Sequence, residues 1–120
     1  MTVDELKKEV SKGRQYRKID NEGYAEGCLL PLYLLYPTLP KREWIADDLV
    51  IGSYLINNYF SKTDKMDIGN VMAYRMPFKM VHLAVFCGNS QMVHCSISDG
   101  LSICNTSLYI SRIMGVFKFG

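Results

Sequence analysis

At 120 residues, with 48% hydrophobic and 22% charged side chains, the chain holds material for one hydrophobic core and little beyond it. The formal net charge of +2 is spread over scattered Lys and Arg, with no block longer than Lys7-Lys8 or Lys41-Arg42, which argues against a nucleic-acid partner or a phosphate-reading role. No apolar run approaches the ~20 residues that cross a bilayer, and Met1 to Lys8 carries no apolar export signal. The expectation is therefore a soluble protein of cytoplasmic synthesis, with no membrane partner.

Val3 to about Lys12 reads as a helix, with Val3, Leu6 and Val10 on one stripe and charges elsewhere. Gly13 to Gly27 is irregular and polar, a loop placed to border a site, and it carries Tyr16, Tyr24 and the turn-like Asp20-Asn21-Glu22-Gly23. Leu29 to Tyr36 is almost wholly apolar and predicts a buried helix, with Pro31 tolerated in its first turn and Pro37 and Pro40 ending it. A second, amphipathic helix follows from Lys41 to about Tyr59, with Trp44, Ile45, Leu49, Tyr54, Leu55 and Tyr59 inward. Ser61 to Asp67 reads as a polar loop.

From Gly69 the pattern changes to short apolar runs parted by Gly-Asn and Asp-Gly turns. The runs are Val71 to Tyr74, Val81 to Phe86, Met92 to Ile97, Leu101 to Cys104 and Gly115 to Phe119, predicting an antiparallel meander of five strands. Helices first and strands after, in one short chain, make an α+β fold: a single domain over residues 1–120, with N-terminal helices packed on a five-stranded antiparallel sheet. The two histidines, His82 and His94, both fall in predicted strands joined by the hairpin signal Cys87-Gly88-Asn89-Ser90. A hairpin centred on Gly88 pairs Ala84 with Met92 and sets His82 directly across from His94 on one face.

The four cysteines, Cys28, Cys87, Cys95 and Cys104, read as free thiols in a chain with no export signal. A zinc site from Cys28, His82, His94 and Cys95 is disfavoured, because His94 and Cys95 are consecutive in a strand and point to opposite faces, and no Cys-x-x-Cys pair exists. No metal or cofactor is expected. Cys28, in Gly27-Cys28-Leu29-Leu30-Pro31, stands at the start of the apolar helix, the position that lowers a thiol pKa. A thiol nucleophile needs a base, and the base needs a third group to hold its tautomer. Cys28 as nucleophile, His82 as general base and later acid, and His94 as the orienting partner supply all three, and suggest a cysteine hydrolase. A cysteine on an apolar helix is more often a packing residue, and a strand histidine more often a core one. Two histidines face to face, in a chain with no others, outweigh that reading here. Cys87, Cys95 and Cys104 are assigned to packing, and Tyr16 and Tyr24 to the wall of a cleft or to packing.

Gly69-Asn70-Val71-Met72, then Val81-His82-Leu83-Ala84-Val85-Phe86, then Gly88 to Cys95 with Met92-Val93-His94-Cys95, resemble in order and spacing the NlpC-type cell-wall cysteine peptidases. In that family a Gly-Asp turn opens a strand, a His-Val-Gly-Ile-Tyr-type strand brings the catalytic His, and a glycine hairpin returns to a Met-Val-His-Ala-type strand with the third polar residue. Ser111 to Phe119 resembles the Arg-x-x-Gly-Val-Phe-Arg-Phe-like close of phage tail members. The resemblance covers Gly69 to Phe119; Asn70 replaces the usual Asp. Gly13-Arg14-Gln15-Tyr16 is similar to the family's Gly-x-x-Tyr, which implies that Tyr16 lies on the substrate side.

The family nucleophile stands in Asp-Cys-x-Gly-Leu with an aromatic residue eight positions on, and two placements compete. Cys28 keeps the thiol and puts Tyr36 at the aromatic position, with Gly27 for the Asp and Leu30 for the Gly. Ala25 recovers Gly27 as the small residue and Tyr33 as the aromatic but has no thiol, which would make the chain a catalytically inactive binding or tail-assembly module. The resemblance implies a minimal papain-like fold, and hydrolysis of an amide in a peptidoglycan stem peptide through an acyl-enzyme. It further implies phage tail proteins as partners, with the chain virion-associated or delivered to the periplasm or cell wall. A deamidase or isopeptidase acting on protein is a third reading.

Overall fold

The computed structural model describes residues 1–16, 27–40, 48–77 and 81–120. Helix α1 (Val3–Glu9) starts on a capping box: the Glu5 N–H donates to the Thr2 hydroxyl, and the Thr2 N–H donates to the Glu5 carboxylate. A 3-10 turn, Val10–Lys12, extends it to Gly13. Leu6 is fully buried, anchoring α1 to the core. The second helical run begins as a 3-10 turn, Gly27–Leu29, and continues as α2 (Leu30–Leu35), with Pro31 in the first turn as the sequence requires. Its residues are buried almost throughout.

Helix α3 (Asp48–Tyr59) is the described part of the predicted second helix; residues 41–47, Trp44 and Ile45 included, lie outside the described residues. Leu55 and Ile56 are its buried anchors. Among the described residues no helix is long and apolar enough to cross a membrane.

The strands are β1 (Phe60–Thr63), β2 (Val71–Arg75), β3 (Val81–Gly88), β4 (Gln91–Ser96), β5 (Gly100–Asn105) and β6 (Ile113–Phe119). They form one antiparallel sheet in the order β1-β6-β2-β3-β4-β5. The α+β class agrees with the sequence, whereas the count of five strands does not. β1 occupies the start of the predicted polar loop and has the pattern of a short edge strand. Phe60 alone is buried and packs its ring against Tyr36 and Phe119, while Ser61 and Lys62 face solvent. Nor is the sheet a simple meander, because the chain leaves β5 at one edge and returns to lay β6 between β1 and β2. The return is made by a 3-10 segment, Thr106–Arg112, that crosses one face of the sheet and touches β2.

The hairpin register also differs from expectation. Asn89 and Ser90, both with positive φ, form a two-residue turn, Gly88 pairs Gln91, and an irregularity between Phe86 and Gly88 brings Phe86, not Ala84, opposite Met92. Continued along the strands, this register leaves His82 diagonal to His94. A slip of two residues keeps every side chain on its face, so both histidines still share one surface.

The two faces have different covers. Val71, Ala73, Leu83, Val85, Val93 and Cys95 face the helices and form the main core with Leu6, Leu29, Leu32 and Leu55. Met72, Tyr74, Ala84 and Met92 make a smaller cluster on the other face, roofed by Tyr109 from the crossing segment.

Candidate active site

The site lies at the end of the sheet where β2 and β4 stop and β3 and β5 begin, so side chains from both faces converge. Residues are carried round the edge by one close approach. Gly100, at φ 66°, opens β5, and a Cβ there would collide with the Arg14 carbonyl, which accepts the Leu101 N–H at 2.9 Å. That contact brings Tyr16 to a cavity of about 420 Å³ shared with Cys28, His82, Cys95 and Tyr109.

Cys28 comes from the helical side. It is buried, within the 3-10 turn before α2 rather than at the first residue of a long helix, and its thiol donates to the Val81 carbonyl at 3.5 Å, one residue before His82. His82 comes from the other face. Its Nε2 lies 3.0 Å from His94 Nδ1, with the rings nearly perpendicular at 87°. Both imidazoles are buried, at 9% and 3% exposure, so this contact is shielded from competing water. Among the described residues His82 Nδ1 has no hydrogen-bond partner, which leaves it as the nitrogen available to chemistry. His94 does not line this cavity and stands behind His82.

Burial, and secondarily the neighbouring His94, push the His82 pKa down to about 4. Burial lowers His94 too, with Asp99 acting in the opposite direction. At neutral pH both rings are thus uncharged and one N–H joins them. When His82 donates Nε2–H to His94 Nδ1, its Nδ1 lone pair is free to take a proton.

Tyr109 is the residue that the sequence reading missed. Its ring lies 5.4 Å from that of His82, 6.2 Å from His94 and 5.6 Å from Tyr74, so it seals the histidine pair from above. The available signal was a single aromatic in the polar connection Asn105 to Ser111, between two strands. Of the residues predicted for the site, Cys28, His82 and Tyr16 line one cavity and His94 joins through His82; Tyr24 and Ala25 lie outside the described residues. The expectation that His82 and His94 stand directly opposite is replaced by the diagonal contact. Cys87 and Cys104 are removed from the chemistry, since burial raises both thiols, Cys104 to about 11. His94 and Cys95 fall on opposite faces of β4, and among the described residues no three His, Cys, Asp or Glu side chains converge to hold a metal.

No family model matches the chain, and no curated protein matches it.

Proposed function

We propose that the chain is a cysteine peptidase of NlpC type, with a minimal papain-like arrangement, that hydrolyses an amide of a peptidoglycan stem peptide. The observation that carries this reading is the buried His82–His94 hydrogen bond, which occupies Nε2 of His82 and leaves Nδ1 for a cavity that Cys28 also lines. A histidine kept only for packing has no need of a second histidine to fix its tautomer.

In the reaction, His82 Nδ1 takes the Cys28 proton as sulfur attacks the carbonyl carbon, and the resulting imidazolium keeps Nε2–H on His94 Nδ1. Because His82 is held neutral, it is ready to take that proton. Backbone N–H groups of the Gly27–Leu29 turn serve the developing oxyanion. His82 then protonates the leaving amine, and water, activated by the same nitrogen, releases the acyl group from sulfur. Tyr16, at the cavity wall, contacts substrate. Phage tail association and delivery to the cell wall belong to this reading.

Digestion of purified peptidoglycan, with released peptides read by mass spectrometry, tests it. Release by the unaltered chain that vanishes in Cys28→Ser supports Cys28 as nucleophile. Release only by Ala25→Cys overturns that assignment and favours an inactive binding or tail-assembly module. Release by neither refutes peptidoglycan hydrolysis.

A further inference from the structure

Beside the histidine cleft, the strand ends bring two arginines together. β2 and β6 pair with Tyr74 opposite Ile113, which brings Arg75, the last residue of β2, and Arg112, the last residue of the 3-10 segment that leads into β6, to the same end of the sheet. Both are exposed and line a shallow groove of about 660 Å³ with Ser111 and Met114. Among the described residues no carboxylate lines that groove, and neither arginine takes part in an ion pair. Two like charges lining one groove repel each other, and an anion held between them turns that repulsion into attraction. Met76 lines both this groove and the histidine cleft, so one extended ligand can occupy the two at once.

The cleft wall around Cys28 is dominated by Tyr16, Met76, Val81, Ile97 and Tyr109, which offer a peptide apolar contact and little charge. The arginines supply what that wall lacks. We infer that the Arg75–Arg112 groove is a subsite for a carboxylate of the peptide whose amide lies at Cys28, making the preferred substrate an acidic peptide. Two planar guanidinium forks present parallel N–H pairs that match the two oxygens of a carboxylate, a geometry an ammonium cannot offer. The Ser111 hydroxyl stands in the same groove as a further donor.

The ligand assignment rests on the peptide-hydrolase reading, so the test is one of binding and not of cleavage. The arginine Nε–H resonances of the full chain are followed by NMR during titration with acetyl-Ala-Glu-Ala-amide, with acetyl-Ala-Gln-Ala-amide and with inorganic phosphate. The glutamyl peptide is expected to shift Arg75 and Arg112 but not Arg14, and to bind about fivefold more tightly than its neutral counterpart. Arg75→Gln with Arg112→Gln is expected to abolish that preference; both positions are exposed and outside the core. Equal affinity for the two peptides, or a preference that survives the double substitution, overturns the inference. Phosphate shifting both arginines as strongly as the glutamyl peptide overturns it too, because the groove is then a general anion patch. Failure to cleave peptidoglycan, by contrast, refutes the hydrolase reading and leaves this titration unaffected.

Discussion

His82 and His94 form a two-proton-site unit whose behaviour is set by cover as much as by contact. The 3.0 Å N···N bond fixes which nitrogen of His82 faces outward, and the Tyr109 ring excludes the water that would favour a charged imidazole. Tyr109→Ala should therefore move both histidine titrations upward toward the ordinary range, while Tyr109→Phe, which keeps the ring, should leave them nearly in place. With only two histidines in the chain, the ring proton signals resolve this directly. Titrations unmoved by Tyr109→Ala would show that Tyr109 does not shield the pair. The identity of the pair was legible in the sequence, because two histidines at a hairpin spacing are hard to place on different faces. Tyr109 was not, because its partners lie in three strands and its own segment has no periodicity to read.

At the level of elements, the site depends on where strands stop and what crosses them. Gly100 is a turn residue by sequence, and only the fold shows that the Arg14 carbonyl sits where its side chain would be. Gly100→Ala should lose the Leu101–Arg14 hydrogen bond, cost roughly 1–3 kcal/mol in chemical denaturation and displace Tyr16 from the cavity. A stability within about 0.3 kcal/mol of the parent chain would mean that the 14–16 segment yields without cost. The sequence readings of α1, α2, the described part of α3 and β2 to β5 were sound because apolar periodicity, proline position and alternation are local signals. β1 and the hairpin register were missed for non-local reasons. Phe60 becomes a strand residue through Phe119, far along the chain, and β3 absorbs an extra residue at Cys87, between Phe86 and Gly88, as a bulge that alternation cannot reveal.

For the molecule as a whole, burying two neutral imidazoles couples folding to pH. His82 has a folded pKa of about 4 against 6.5 when unfolded, so the unfolded chain binds more protons between these values. Stability is fully present above about 6.5 and falls as pH drops toward 4, with His94 acting in the same direction. His82→Asn should flatten the denaturation midpoint across this window; an unchanged slope would place the acid sensitivity elsewhere, among the carboxylates. The same architecture explains why two faces of one sheet are needed. The helical face supplies Cys28, the strap-covered face supplies the histidines, and the open strand ends are where the two meet.

The central claim is that His82 serves the Cys28 thiol. Its most direct test is the alkylation rate of each cysteine near pH 6, read by mass spectrometry of the labelled peptides in the parent chain and in His82→Gln. Selective modification of Cys28 over Cys87, Cys95 and Cys104, lost in His82→Gln, is the result that the account predicts. Slow and equal labelling of all four cysteines, or a Cys28 rate indifferent to His82, would contradict it.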